Sequence, residues 1–308
     1  MTTTEEPAAP APPIPAPLFR RLAATSALLC LTLLGGCGAP PVRSVAPDAP
    51  PLRFLLSFDD GPSIRRDPNP TEQVLQALAA NPMQPGIKAV FFVQTRAVNG
   101  GGTPMGRELM LRELALGHVL GFHTATPGHS NHLGMSSETL RASLQAGLSD
   151  HAGLGRTPRL VRPPMWAYDA RTLGVYADAG LRALLTDVTA NDGKIVWPYA
   201  SPRRRQHLDY QMGLLRTRVL AGQLPVVQDA IPVVVTFHDP NPFTAEHLVE
   251  YLGLLVDCAR AQGLRVSERP FYGQGDDVEA IALARAVDAE APIQRIPGFW
   301  QSLLRLAP

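Results

Sequence analysis

From Leu52 to Ser267 short apolar runs alternate with longer stretches whose apolar residues recur every three or four positions. The runs predict strands at Leu52 to Phe58, Lys88 to Gln94, Val119 to His123, Arg159 to Arg162, Leu181 to Asp187, Val233 to His238 and Leu264 to Ser267. Helical spacing covers Thr71 to Ala80, Met105 to Leu116, Ser136 to Ala152, Asp169 to Ala179 and Ala245 to Gln262. Strand and helix in repetition imply an α/β fold with a parallel sheet, and about seven strands favour a barrel over an open sheet. Residues 194–230 show little alternation and read as an insertion over one edge. Beyond Pro270 the pattern fades into one helix and a Pro-bounded tail, set apart as a C-terminal extension over 271–308.

Polar residues change this picture by where they fall. Asp59, Asp60, His123, Arg162, Asp187 and His238 each end a predicted strand, on the face where parallel barrels carry their active sites. Asp59 and Asp60 are adjacent and followed by Gly61-Pro62, a turn signal. By itself Asp-Asp-Gly-Pro is also an ordinary polar turn. Two neighbouring carboxylates nevertheless repel unless a cation, an arginine or a shared proton relieves them. His123, His129 and His132 lie within ten positions of one another, a candidate metal cluster. Two imidazoles and a carboxylate leave positions open for water and substrate, the composition of a catalytic metal site. A metal there would lower the pKa of bound water and polarise a carbonyl. Asp187 reads as a strand-end residue without a catalytic role.

Charge and cysteine usage exclude other classes. Of the 308 residues, 28 are Lys or Arg and 27 are Asp or Glu, a net charge of +1, so no broad field argues for nucleic acid. Cys30, Cys37 and Cys258 are too scattered for a disulfide framework or a structural zinc site. The Pro- and Ala-rich segment 1–18 cannot bury enough apolar surface to order itself. Arg20-Arg21 then precede Leu22 to Leu34, which has the basic flank and short length of a signal-peptide core. Leu34-Gly35-Gly36-Cys37 resembles the lipobox of bacterial lipoproteins. That resemblance implies a signal peptide over 1–37, lipidation at Cys37, and a membrane-anchored protein of the cell envelope. Residues 38–51, with five prolines, read as a spacer ahead of the folded domain at 52–270.

The ordered set Ser57-Phe58-Asp59-Asp60-Gly61-Pro62, Lys88 to Val93, Gly117 to Thr124, Arg162-Pro163-Pro164 and Phe237-His238-Asp239 resembles the polysaccharide deacetylase family of metal-dependent carbohydrate esterases. The resemblance covers roughly residues 52 to 267. It implies a distorted (β/α) barrel that removes N- or O-acetyl groups from polymers such as peptidoglycan, chitin or xylan. Under it Asp59 is the general base, Asp60 and His123 are metal ligands, and Arg162 holds Asp59. The Met165 amide after Pro164 is an oxyanion donor, His238 is the general acid, and Asp192 keeps His238 protonated. Zinc suits the donors best, while cobalt, nickel or iron fit the same set. An acetylated polysaccharide is the implied partner, and oligomeric state is left open.

Members of the family usually space their two histidine ligands four residues apart, a position occupied here by Pro127. Counting back from the helix opened by Met135-Ser136-Ser137-Glu138 makes His129, rather than His132, the second ligand, with two residues inserted within Thr126 to Gly128. Other departures fall around the substrate groove. Met165-Trp166 replaces an aromatic-Gly pair, Asp192-Gly193 an Asp-Trp pair, and Thr236 an apolar residue. Pro164, Trp166 and Thr236 are the candidate substrate-binding residues, with Trp166 either a stacking wall for a sugar or a structural tryptophan. Those departures also keep open a carbohydrate-binding barrel that has lost turnover.

Overall fold

In the computed structural model, residues 49–192, 204–288 and 290–292 are described. The strands are β1 (Leu52–Asp59), β2 (Ala89–Gln94), β3 (Val119–Thr124), β4 (Leu160–Val161), β5 (Arg182–Ala183), β6 (Val188–Thr189), β7 (Ile231–His238) and β8 (Val266–Phe271). They form one eight-stranded sheet in the order β5-β4-β3-β2-β1-β7-β6, with β8 on β1. All named pairings are parallel. The sheet curls into a half-barrel, and residues three positions apart reach toward its two ends: the Leu184 amide donates to Val161 of β4, and the Asp187 amide donates to Val234 on β7.

The expected single strand from Leu181 to Asp187 is therefore reduced to β5, and a second short strand, β6, begins just beyond it at the opposite edge. Apolar content marked the stretch as buried, but it could not say that the chain changes partners midway. Asp187 also leaves the rim assigned to it. It lies before β6, accepts the Val234 amide at 2.8 Å, and pairs with Arg218 at 2.8 Å and Arg285 at 2.9 Å. The last strand continues through Pro270 to Phe271 rather than stopping at Ser267, since a strand paired along one side tolerates a residue without an amide hydrogen.

The described helices are α1 (Pro70–Ala79), α2 (Pro104–Ala115), α3 (Ser137–Ala152), α4 (Ala170–Asp178), α5 (Arg204–Leu220), α6 (Pro242–Ala261) and α7 (Val278–Arg285). Three of them begin with a proline, behind Asn69, Thr103 and Asn241, whose side chains accept amide hydrogens of the first turn. Proline fits there because that amide has no intrahelical partner. Within the stretch read as an unpatterned insertion, α5 buries Leu208, Met212 and Leu215 in the main core.

Phe54, Leu55, Leu56 and Phe58 of β1 are all fully buried, as in a parallel strand covered on both faces. Outward-facing Phe54, Leu56 and Phe58 join α1 and α6 residues in one cluster, and Phe58 stacks between Phe91 at 5.0 Å and Phe237 at 5.7 Å. Inward-facing Leu55, Val90, Phe92, Val119 and Val234 form a second cluster. Val278, Ile281 and Ala282 of α7 belong to this same interior cluster, so the C-terminal stretch packs within the curl. Each inward column turns polar as it ascends: Leu55, Ser57, Asp59 on β1; Val234, Thr236, His238 on β7; Val119, Gly121, His123 on β3.

Gly147 lets α3 approach β3, because a Cβ there would overlap the Phe122 ring and lie 3.0 Å from the Ala125 methyl. Replacing an interior helical glycine by alanine ordinarily stabilises by about 1 kcal/mol. Overpacking here opposes that gain with about 1–3 kcal/mol, so Gly147→Ala is expected to lower the urea midpoint. A raised midpoint would show that the α3–β3 contact is slack.

Candidate active site

The two carboxylates of β1 part at Asp60, whose φ of 71° is left-handed. That region is sparsely used by residues other than glycine, although aspartate tolerates it better than most. Asp59 stays buried, while Asp60 retains 33% side-chain exposure and faces the histidines. Its Oδ1 lies 3.0 Å from His123 Nε2 and 3.4 Å from His129 Nε2. The His123 Nδ1–H donates to the Arg162 carbonyl at 2.9 Å, which fixes the tautomer and leaves the Nε2 lone pair toward Asp60. The two Nε2 atoms are 3.3 Å apart.

One donor atom from each of Asp60, His123 and His129 lies within 4.8 Å of the others. Two facing imidazole lone pairs beside a carboxylate fit a divalent metal that retains open positions. Burial works against the ionised form of Asp60, but the hydrogen bond and charge of His123 when that ring is protonated, with the charges of His238 and of protonated His129, hold its pKa well below the usual range. Burial lowers the pKa of His129, which keeps it neutral and able to donate a lone pair.

His132 lies elsewhere. It is fully buried, stacks on Phe122 at 5.9 Å, and shares a 2.8 Å hydrogen bond between Nδ1 and the Tyr176 hydroxyl. Burial depresses its pKa to about 3.

On one side of the triad, Arg162 Nε stands 3.5 Å from Asp59 Oδ1. The guanidinium is fully buried between the rings of Phe92 at 4.5 Å and Trp166 at 4.7 Å. Its Nη2–H donates to Ser57 Oγ at 2.7 Å, and Ser57 in turn meets Thr236 Oγ1 at 3.1 Å. Thr236 donates onward to Thr186 at 2.9 Å and is fully buried. It therefore does not line an accessible acetyl pocket: on β7 it sits one inward position below His238, and its hydroxyl belongs to the polar layer under Arg162. Pro164 is buried, whereas Met165 is 58% exposed, and both Met165 and Trp166 have a φ of 57°. Trp166 thus roofs the guanidinium with one face.

On the other side, His238 Nδ1 and Asp192 Oδ1 are 2.7 Å apart, and His238 Nε2 is 3.9 Å from Asp60 Oδ2. Asp192 Oδ2 accepts the His238 amide at 2.8 Å and the Thr244 hydroxyl at 2.6 Å. Burial alone would deprotonate His238, but the Asp192 carboxylate overrides it and, with Asp59 and Asp60, raises the pKa to about 10.

Several neighbours escaped the sequence reading. The Gln94 side chain donates to Asp60 Oδ1 at 2.8 Å. Asp239 lies fully buried, accepts the Thr71 hydroxyl at 2.5 Å and is pushed up by burial to about 7. Gly61 packs directly on that carboxylate, where any Cβ would collide. Gln94 had a visible signal, being a polar residue that ends an apolar strand. Asp239 sat within a quoted motif without a role. Cys37 and Gly193 lie outside the described residues.

Residues 47–184 match the family model described as polysaccharide deacetylase. That stretch is similar to a polysaccharide deacetylase domain. A chitin deacetylase from Pestalotiopsis sp is 27% identical over 176 residues, 54% of this chain and 55% of the relative, so the chain spans about half the length of the curated relative it matches. Among solved structures, the chitin deacetylase of the fungal pathogen Colletotrichum lindemuthianum superposes with a TM-score of 0.52 at 20% identity, over 74% of this chain and 90% of that one. A peptidoglycan deacetylase from Bacillus subtilis gives 0.50 at 20% identity, over 76% and 93%. These two likenesses show a shared fold. The triad and its two flanking pairs occupy the C-terminal ends of β1, β3 and β7 and the loops that follow β3, β4 and β6.

The Asp192–His238 pair has a definite pH signature. A histidine with a raised folded-state pKa contributes stability that is complete below its ordinary value of about 6.5 and is lost as pH rises through the folded value. Asp192→Asn is expected to cost about 1.5–3 kcal/mol, the range for a charged hydrogen bond, between pH 6 and 8. The cost should shrink as pH rises toward 10. Urea unfolding of both proteins across that range checks this, and a cost independent of pH would show that His238 is not held protonated by Asp192.

Proposed function

We propose that this protein hydrolyses acetyl groups, amide-linked ones first, from an acetylated polysaccharide such as chitin, peptidoglycan or xylan. The observation that carries the proposal is the placement of a metal-fitting triad between two polar pairs of opposite character. Asp60, His123 and His129 would hold a divalent metal, with zinc the best match to two imidazoles and a carboxylate and cobalt, nickel or iron acceptable to the same donors. When bound, the metal supplies Lewis acidity toward water and toward the acetyl carbonyl.

The chain's own groups divide the proton transfers. Asp59, kept in place by Arg162, accepts the proton of the attacking water. His238, kept protonated by Asp192, delivers a proton from Nε2 to the departing amine or alcohol. The Met165 amide, which follows buried Pro164 in left-handed backbone, would donate to the tetrahedral oxyanion. Pro164 supports that turn, and Trp166 offers its indole face to a sugar only on the side away from Arg162. Polymer identity is set by the loops around a cavity of about 270 Å³ beside the triad, lined by Asp60, His129, Gln94, Pro62, Val98 and Pro127. Export and lipidation at Cys37 would place this chemistry at the cell envelope, a proposal supported by the lipobox resemblance and tested by incorporation of a labelled lipid precursor into wild type but not Cys37→Ser.

Acetate release from acetylated chito-oligosaccharides, peptidoglycan and xylan is expected to stop on chelation and return with zinc. Undiminished release after chelation would sink the metal mechanism. Tight glycan binding without release of acetate from any polymer would favour a binding barrel instead. His238→Ala should lower turnover by about two to four orders of magnitude while retaining metal, and loss of metal would make His238 a ligand. His129→Ala should abolish stoichiometric metal uptake, whereas His132→Ala should retain uptake at reduced stability. The reverse pattern would move the second ligand to His132.

A further inference from the structure

We infer that Gln94 is a positioning residue for the metal-binding carboxylate. Three observations converge on it. Its Nε2 donates to Asp60 Oδ1 at 2.8 Å, the same oxygen that stands 3.0 Å from His123 and 3.4 Å from His129. The side chain is only 7% exposed, and the Thr124 hydroxyl faces its Oε1 at 3.4 Å, which turns the NH₂ group toward Asp60. The backbone is fixed as well, since the Gln94 amide donates to the Gly61 carbonyl at 2.9 Å.

The bulge between β2 and β3 explains how this residue reaches the site. Val93 pairs with Phe122 but Gln94 pairs with Thr124, so the register skips His123. A bulge re-aims side chains, and here it turns His123 and Gln94 to the same carboxylate. Asp60 needs such a partner because its left-handed backbone and 33% exposure leave its side chain weakly constrained by packing. A neutral amide suits the task. It occupies one lone pair of Oδ1 and leaves the other, together with the full negative charge, for a metal. A lysine or arginine at the same place would neutralise the charge that attracts the cation.

The proposal rests on the reading that the triad binds a divalent metal, and its test measures uptake directly. Zinc affinity of the metal-free protein is measured by competition with a chromophoric chelator for wild type, Gln94→Met and Thr124→Val. The first variant is close in volume and removes the donor. The second removes the hydroxyl that orients it and keeps the assay usable if Gln94→Met folds poorly. Gln94→Met is expected to weaken zinc about 10- to 100-fold, the usual effect of losing an outer partner of a metal ligand, and Thr124→Val to weaken it less. The melting temperature of the metal-free protein and the visible bands of the cobalt-loaded protein should be unchanged in the variants. Wild-type affinity in both variants would overturn the role of Gln94 while leaving the metal site intact. A cobalt spectrum altered as by loss of a ligand would also overturn it, making Gln94 a ligand. Failure of wild type to take up metal would remove the metal reading and this inference with it.

Discussion

Repulsion between two adjacent carboxylates is the constraint around which the site is built. Asp59 and Asp60 are adjacent in the chain, and an extended backbone would send them to opposite faces of the sheet, one into the barrel and one among the helices. The left-handed turn at Asp60 avoids that outcome. It keeps Asp59 in the buried inward column and swings Asp60 onto the rim, where histidines and the Gln94 amide surround it. Gly61 is then obligatory in a concrete sense, because the turn brings its α-carbon against the buried Asp239 carboxylate. One backbone conformation thus gives two like charges different environments, and different environments are what separate acid, base and ligand roles.

Below the rim, the interior is graded. Leu55, Val90, Val119 and Val234 form an apolar floor, with Val278, Ile281 and Ala282 of α7 in the same cluster. Above them Ser57, Thr236 and Thr186 form a hydroxyl layer that receives one edge of the Arg162 guanidinium. An isolated buried guanidinium would be severely destabilising. Here its planar faces rest on Phe92 and Trp166, and one edge is turned toward Asp59. Thr236 stands where an apolar residue was expected because its side chain serves this layer.

Much of the site was legible because it lies at the ends of apolar runs. Asp59, Asp60, His123, Arg162 and His238 are polar residues that terminate strands or directly follow them, and period-two burial makes such positions conspicuous. The choice of His129 over His132 could be argued from helix register alone, and the structure brings His129 to Asp60 while His132 packs on Phe122. Gln94 was equally visible as a strand-ending polar residue, but its partner was not, since the bulge that aims it arises between β2 and β3.

The sequence by itself determined the parallel α/β architecture, the starts of five of the seven described helices to within a few residues, and the chemical types of the candidate site, because periodicity, capping and turn chemistry are local. Tertiary structure alone decided which strands are neighbours and therefore which polar groups share an environment. It divided Leu181 to Asp187 between the two edges of the sheet, carried Asp187 to Arg218 and Arg285, and lowered Thr236 beneath the rim. Each of these outcomes depends on contacts between residues tens of positions apart, and a local pattern carries no record of the distance across a barrel.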